Sequence, residues 1–136
     1  INNIRVDLST SQIFKVLVVE DNRINQLVTK KIMEKNLYKC CVVDDGYEAL
    51  KILETEIFDI ILMDINMPLL NGFETTRLIR NKNITTPIIA LTAFDKEEIS
   101  EEAISAGMND IIIKPLDQSK LFKAMSTLIY DAKNVG

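Results

Sequence analysis

Histidine and tryptophan are missing from this sequence, and cysteine, proline and glycine are scarce. The 136 residues include no histidine, no tryptophan, two cysteines, three prolines and four glycines. Without histidine, the chain holds neither a Ser–His or Cys–His nucleophile nor a histidine-ligated metal site. Cys40 and Cys41 are too few for a disulfide framework. As neighbours in a strand they would point to opposite faces, so we expect reduced thiols, as in an intracellular protein.

Long apolar runs are also missing. The longest have four residues, Ile60–Met63 among them, whereas a membrane-spanning helix needs about 20, so we expect no membrane insertion. Apolar residues make up 47% of the chain and charged residues 26%, the balance of a folded globular domain rather than a disordered chain. The net charge of −4 disfavours direct nucleic-acid binding, which usually depends on a basic patch.

The length predicts one domain with short ends, because single domains typically hold about 100–150 residues. The chain begins at Ile1 rather than Met, and residues 1–14 have only weak patterning. We therefore expect a piece of a longer protein that starts with a linker or N-terminal arm over residues 1–14. The domain is expected over residues 15–133, with a tail over 134–136. No signal peptide is visible, and we expect this segment to be cytoplasmic, even if the parent chain is anchored in a membrane elsewhere.

Short apolar runs alternate with amphipathic segments along the domain. The runs are Val16–Val19, Cys40–Val43, Ile60–Met63, Ile88–Leu91 and Ile111–Ile113. Such short, uninterrupted runs are typical of strands buried on both faces of a parallel sheet. Apolar residues at helical spacing follow each run, at residues 24–32, 50–57, 73–79, 99–106 and 121–128. Because parallel strands need crossover helices, this alternation predicts an α/β domain with a doubly wound, five-stranded parallel sheet and five helices.

Polar residues directly follow four of the five predicted strands. They are Glu20 and Asp21 after the first strand, Asp64 after the third, Thr92 after the fourth and Lys114 after the fifth. Binding sites of open α/β sheets lie beyond the carboxyl ends of the strands, so we expect these side chains to converge. The second strand ends in Val43-Asp44-Asp45-Gly46, which we interpret as an ordinary turn.

Three carboxylates at one place favour a bound cation. They repel one another, and Lys114 supplies only one positive charge to balance them. A divalent, oxygen-binding ion fits, and Mg²⁺ is favoured over Ca²⁺ because the loops lack the spaced acids of a calcium cage. A metal and a lysine beside a free carboxylate suit phosphoryl transfer, in which Asp64 would be the nucleophile.

Taken one at a time, these residues also have ordinary structural explanations. Asp21 or Asn22 could cap the first helix, and Asp64 could belong to a turn. Thr92 could simply end a strand, and Lys114 could be a surface lysine. Their joint placement at one edge of the sheet favours the functional interpretation.

Several motifs resemble those of the receiver domains of two-component response regulators. The matching segments, in the family's order, are Val18–Asn22, Met63–Pro68, Ala90–Ala93 and Lys114–Pro115. The resemblance covers about residues 15–130 and implies the flavodoxin-like strand order 2-1-3-4-5. Glu20–Gln26 and Gly107–Asp110 look most similar to receivers carried on hybrid sensor histidine kinases, with a stand-alone response regulator as the alternative.

The resemblance implies how a phosphoryl group and a metal would be held. Asp64 would take the phosphoryl group from a phosphohistidine on a histidine kinase or a histidine-phosphotransfer domain. Asp21 and Asp64 would bind Mg²⁺ directly. Glu20 would reach the ion through water, and the Asn66 carbonyl would complete the protein ligands. The domain would be a monomer or a weak homodimer.

The resemblance also implies a switch. Lys114 would pair with the phosphoryl group, and the bond from Lys114 to Pro115 would be cis. Thr92 would hydrogen-bond a phosphoryl oxygen and draw its loop inward. The family usually adds Tyr or Phe three residues before the lysine, whereas this chain has Ile111, which carries no ring to rotate. We therefore expect the signal to travel through shifts near Thr92 and in residues 95–107.

Two features near the site concern its kinetics and its partner. Phe94, two residues after Thr92, offers no polar group to an attacking water, so we expect a long-lived phosphoryl-aspartate. Ile24, Leu27 and Val28 lie on the first helix beside the site. They are candidate docking contacts for a histidine-bearing partner, although two of the three could equally be residues of the core.

Three other functions stay open at this point. A phosphatase of the haloacid dehalogenase type also uses an Asp nucleophile, but it needs a second Asp two residues later, where this chain has Asn66. A flavodoxin-type flavin binder needs a phosphate-binding loop after the first strand, where Glu20 and Asp21 would repel phosphate. A degenerate receiver that only docks partners would have to be inactive despite an intact site.

Overall fold

Five strands alternate with five helices in residues 13–134, the part of the chain that the computed structural model describes. The strands are β1 (Lys15–Val19), β2 (Lys39–Val43), β3 (Ile60–Asp64), β4 (Ile88–Thr92) and β5 (Asp110–Ile113). The helices are α1 (Arg23–Lys35), α2 (Gly46–Ile52), α3 (Gly72–Asn81), α4 (Lys96–Ala106) and α5 (Gln118–Lys133).

The five strands form one parallel sheet in the order β2-β1-β3-β4-β5. The predicted α/β fold, with its doubly wound sheet and its strand order, is therefore confirmed. The order reverses between β1 and β3, so the helices that follow these two strands pack on opposite faces of the sheet. This reversal opens a crevice at the carboxyl ends of β1 and β3.

Both faces of the sheet are buried. Leu17 and Val19 of β1 pack in the core under α2, α3 and α4, whereas Val16 and Val18 pack under α1 and α5. Cys40 and Cys41 of β2 follow the same alternation. Because successive side chains of a strand point to opposite faces, only an unbroken apolar run can fill both cores. The central strand β3 is buried along its whole length, including its last residue, Asp64.

Helix α1 buries a different face from the one that its apolar spacing suggests. Its exposed apolar residues are Ile24, Leu27 and Val28, at 70%, 58% and 51% exposure. Its buried residues are Gln26, Thr29 and Met33. The alternative that placed two of Ile24, Leu27 and Val28 in the core is therefore wrong, and two polar side chains occupy the inner face instead.

Helix α2 is shorter than the spacing of Leu50, Leu53 and Ile57 predicts. It ends at Ile52, and Ile57 is 87% exposed. The chain must enter β3 at Ile60. After Ile52 the chain instead forms turns, in which the Thr55 and Glu56 N–H groups donate to the Ile52 carbonyl at 3.1 and 3.0 Å.

The ends of the chain bear on the predicted domain limits. Strand β1 begins at Lys15 and α5 ends at Lys133, and Phe14 packs partly against the core. Residues 1–12 and 135–136 lie outside the described residues, so the division into arm, domain and tail stays a prediction. Among residues 13–134, no helix combines the length and the apolar content that crossing a membrane requires.

Candidate functional site

The carboxyl ends of the strands bring the predicted site residues to one edge of the sheet. Glu20 follows β1, and Asp21 lies next to it in the same loop. Asp64 is the last residue of β3 and Thr92 the last of β4, and Lys114 follows β5. Glu20, Asp64 and Thr92 are 2%, 4% and 1% exposed, whereas Asp21 is exposed. The site is therefore closed at its base and open to solvent at Asp21.

Glu20, Asp21 and Asp64 form a cluster of carboxylates. One oxygen of each lies within 4.8 Å of the others. Lys114 Nζ lies 3.4 Å from Glu20 Oε1 and 3.6 Å from Asp64 Oδ1. A single ammonium group thus faces three carboxylates, and the cluster keeps an excess of negative charge.

The pKa of Asp64 reflects its burial and this excess of negative charge. Burial and the neighbouring Glu20 carboxylate raise the pKa of Asp64 from 3.8 to about 6, and Lys114 offsets only part of the shift. The Asn66 backbone N–H donates to Asp64 Oδ1 at 3.2 Å and favours the charged form. A second positive charge at this point would relieve the repulsion and lower the pKa of Asp64.

The donor set fits a hard divalent cation. Carboxylate oxygens are ligands that Mg²⁺ prefers, and the ion usually keeps several waters. Asp21 is exposed, so a hydrated ion can reach the cluster from solvent. Asn66, also exposed, lies beside the cluster through its hydrogen bond to Asp64. Glu20, Asp21 and Asp64, with the carbonyl of Asn66, would hold the ion.

Thr92 and Lys114 are joined through their backbones. The Lys114 N–H donates to the Thr92 carbonyl at 2.7 Å, and the bond between Lys114 and Pro115 is cis. The Thr92 hydroxyl accepts a hydrogen bond from the Phe94 N–H at 3.0 Å. The hydroxyl is therefore engaged with its own loop in this structure.

Ile111 and Phe94 lie in different surroundings. Ile111 is buried in β5, in the same core cluster as Ala103 and Ala106 of α4. Phe94 is 46% exposed on the loop between β4 and α4. Neither side chain belongs to the carboxylate cluster, but both lie on elements that flank Thr92.

Sequence reasoning missed Gln26 and Asp44. Gln26 Nε2 donates to the Glu20 carbonyl at 2.5 Å and to Asp44 Oδ1 at 2.7 Å. The turn after β2, interpreted as ordinary, is therefore linked to Glu20 through Asp44 and Gln26, while Asp45 caps α2 by accepting from the Glu48 N–H at 2.8 Å. A glutamine among apolar neighbours on α1 was the available signal, but its partners are distant in the sequence.

Known proteins resemble this chain in sequence over most of its length. The family described as response regulator receiver domain matches residues 16–126. The chain is 42% identical over 108 residues to the autoinducer 2 sensor kinase/phosphatase LuxQ of Vibrio vulnificus, covering 79% of this chain and 13% of that protein. It is 35% identical over 135 residues to hybrid signal transduction histidine kinase I of Dictyostelium discoideum, covering 91% of this chain and 8% of that protein.

A solved structure shows the same architecture with a metal. The receiver domain of the sensor histidine kinase PA1611 from Pseudomonas aeruginosa was crystallised with a magnesium ion coordinated in its active-site cleft. Its TM-score with this chain is 0.79 at 36% identity, over 87% of this chain and 98% of that one. The chain thus spans nearly all of a solved receiver domain but only a small part of the curated kinases.

Asp64→Asn should stabilise the metal-free protein at neutral pH. The folded state holds the Asp64 proton more tightly than the unfolded state does, so ionisation of Asp64 lowers stability increasingly as the pH rises from about 4 to about 6, and the loss is constant above that range. In EDTA we expect the substitution to raise the free energy of unfolding by about 3 kcal/mol at about pH 7.5 and to have little effect near pH 4. Urea unfolding at both pH values measures the difference.

The exposed residue Asp131 provides the control for this experiment. Asp131→Asn changes the net charge by the same amount but lies on the surface of α5, so its effect on unfolding should be small at both pH values. A gain in stability for Asp64→Asn that is as large near pH 4 as near pH 7.5 would contradict the electrostatic explanation.

Proposed function

Because the chain belongs to the response regulator receiver domain family, we propose that Asp64 accepts a phosphoryl group from a phosphohistidine in a two-component relay. The observation that supports this most is the grouping of Asp64 with Glu20 and Asp21 inside 4.8 Å, with Lys114 Nζ 3.6 Å from Asp64 Oδ1. A buried carboxylate at a strand end, flanked by further acids and one lysine, is suited to accept a phosphoryl group with the help of a cation.

The proposed reaction is a transfer from nitrogen to oxygen. A carboxylate oxygen of Asp64 forms a bond to phosphorus as the P–N bond of the phosphohistidine breaks, and the electron pair returns to the imidazole nitrogen. Lys114 lies close enough to pair with the phosphoryl oxygens. The hydroxyl of Thr92, at the end of the neighbouring strand β4, would donate to one of them.

The acids would hold Mg²⁺ as the family resemblance implies. Asp21 and Asp64 would bind the ion directly, Glu20 through water, and Asn66 through its carbonyl. When bound, Mg²⁺ supplies positive charge for the phosphoryl oxygens. Lys114 faces Glu20 and Asp64 at 3.4 and 3.6 Å, so its ammonium group can turn from the carboxylates toward the incoming phosphoryl group without crossing the site.

The switch would act through α4. To reach a phosphoryl oxygen, the Thr92 hydroxyl must leave the Phe94 N–H, which changes the loop between β4 and α4. The N-cap of α4, Asp95, makes no side-chain capping hydrogen bond, whereas Arg80 holds the other end of the helix by donating to the Gly107 carbonyl at 3.0 and 2.9 Å. We therefore expect the first turns of α4 to move most. Ile111 would move only through its packing in the core cluster that it shares with α4.

The proposed partner is a histidine kinase or a histidine-phosphotransfer domain, and α1 offers it a surface. We define the docking face as Ile24, Leu27 and Val28, which lie three and four positions apart and thus share one side of the helix. An exposed apolar patch beside a polar site is typical of a protein interface. Basic residues on the exposed side of α1, Lys30 and Lys31, favour a partner with acidic groups at the rim of its surface.

We propose that the parent protein is a hybrid sensor histidine kinase. The curated relatives that the chain matches are kinases many times its length, LuxQ among them. A stand-alone regulator stays the alternative for the parent chain. A degenerate receiver that only docks is disfavoured, because Asp64, Thr92 and Lys114 are all in place.

Acetyl phosphate tests the phosphoacceptor. With Mg²⁺, the wild-type protein should gain the mass of one phosphoryl group, measured by intact mass spectrometry, because Asp64 attacks this small donor as it would attack phosphohistidine. Asp64→Asn should gain none, and EDTA should abolish the gain in wild type. Asp131→Asn, on the surface of α5, should gain the group normally. No gain in wild type would favour the docking-only receiver.

Substitutions on the docking face should separate docking from chemistry. Ile24→Ser and Leu27→Ser should each slow phosphoryl transfer from a phosphorylated hybrid-kinase core about tenfold, because each removes apolar contact area from the interface. Their reaction with acetyl phosphate should be unchanged. Leu37→Ser is the control, since Leu37 is 80% exposed beyond the other end of α1. Equal transfer rates in all four proteins would refute this docking surface.

Phe94→Glu should shorten the lifetime of the phosphorylated protein. Phe94 is exposed beside the site but cannot hydrogen-bond a water, whereas a carboxylate there can position one for attack on phosphorus. We expect the decay to be about tenfold faster, as measured by loss of the phosphoryl mass after acetyl phosphate is removed. Phe94→Leu, which stays apolar, should decay at the wild-type rate, and a slower Phe94→Glu protein would overturn this explanation.

A further inference from the structure

Gln26 links two loops behind the carboxylate cluster. It is 8% exposed on the inner face of α1, and its side-chain nitrogen donates to the Glu20 carbonyl and to Asp44 Oδ1. The two donors of its amide group are both used. We propose that Gln26 and Asp44 are positioning residues that orient Glu20 and Asp21 for Mg²⁺, an inference that rests on the function proposed above.

The backbone of Glu20 is held on both sides. Its N–H donates to the Val43 carbonyl at 3.1 Å, and its carbonyl accepts from Gln26. Because the peptide unit is planar, fixing the Glu20 carbonyl also fixes the N–H of Asp21 and the direction in which the chain leaves β1. The Gln26 hydrogen bond therefore acts on the residue pair whose carboxylates face Asp64.

Asp44 is itself held from the other direction. Its N–H donates to Glu48 Oε1 at 2.7 Å, while the Glu48 N–H donates to Asp45 Oδ1 at 2.8 Å. These two hydrogen bonds fix the turn after β2 to the first turn of α2. A continuous path of hydrogen bonds thus runs from α2 through Asp44 and Gln26 to Glu20.

The choice of an amide at position 26 has an electrostatic reason. Gln26 satisfies a carbonyl and a carboxylate without adding charge. A lysine or arginine in its place would put a positive charge behind Glu20 and Asp21 and would weaken their attraction for Mg²⁺. Groups that orient metal ligands in this indirect way typically change metal affinity about 10- to 100-fold when they are removed.

The first measurement is the affinity for Mg²⁺ by calorimetry. Gln26→Met, which keeps the length but loses the donors, should raise the dissociation constant about tenfold. Asp44→Ala should do the same, and the double variant should bind no worse than either single variant, because both break one path. Asp44→Asn, which keeps the Oδ1 acceptor, should stay within about twofold of wild type. Asp44 is exposed, so its variants should fold even if Gln26→Met does not.

A second measurement does not depend on the metal. In EDTA, Gln26→Met should speed amide hydrogen exchange at Asp21 and Asn22 while leaving β3 unchanged. Met33→Val, a buried substitution on the same helix, should lower stability without changing either readout.

These measurements distinguish failure of the positioning role from failure of the proposed function. Wild-type Mg²⁺ affinity in Gln26→Met or Asp44→Ala, multiplied losses in the double variant, or an equal loss in Met33→Val would overturn the positioning role. A wild-type protein that binds no Mg²⁺ would instead overturn the proposed function, and the exchange experiment would still decide whether Gln26 orders the loop.

Discussion

The properties of the site depend on the mutual repulsion of carboxylates at the carboxyl end of a buried strand. Glu20 and Asp64 are almost fully buried, and Asp21 completes the cluster at the solvent edge. Lys114 balances one charge, and the pKa of Asp64 stays raised by its burial and by the neighbouring Glu20 carboxylate. An excess of negative charge lowers the stability of the free domain, but the same excess attracts a divalent cation. The negative charge of such a site is therefore balanced only when a cation is bound.

The parallel sheet makes this arrangement possible. Residues 16–19 and 60–63 are fully paired in neighbouring strands, and two apolar cores clamp the sheet from both sides. The charged side chains lie at the ends of the strands. The apolar cores therefore fix the position of these side chains but do not contain them. The reversal of strand order between β1 and β3 leaves the crevice uncovered by either layer of helices.

Much of the fold and the main site residues could be predicted from the sequence, because the signals for both are local. Unbroken apolar runs mark buried strands, and the polar residues that end them fall at one edge of a parallel sheet whatever the loops do. The face that α1 buries could not be predicted. The helical spacing of Ile24, Leu27 and Val28 places them on one side of the helix, but it does not tell whether that side faces the core or the solvent. Gln26 and Asp44 were missed for a related reason. Their contact joins residues 18 positions apart, and it depends on how α1 lies across the ends of β1 and β2.

The polar inner face of α1 has a consequence for how such a domain changes over time. Since Gln26, Thr29 and Met33 anchor the helix, the side chains of Ile24, Leu27 and Val28 add little to folding stability. Under the proposed docking, substitutions at these outward positions would alter which protein is recognised while the fold and the acid cluster stay intact. Duplicated copies of the gene would then diverge toward separate partners by a few surface changes, without first having to evolve a new scaffold or a new chemistry.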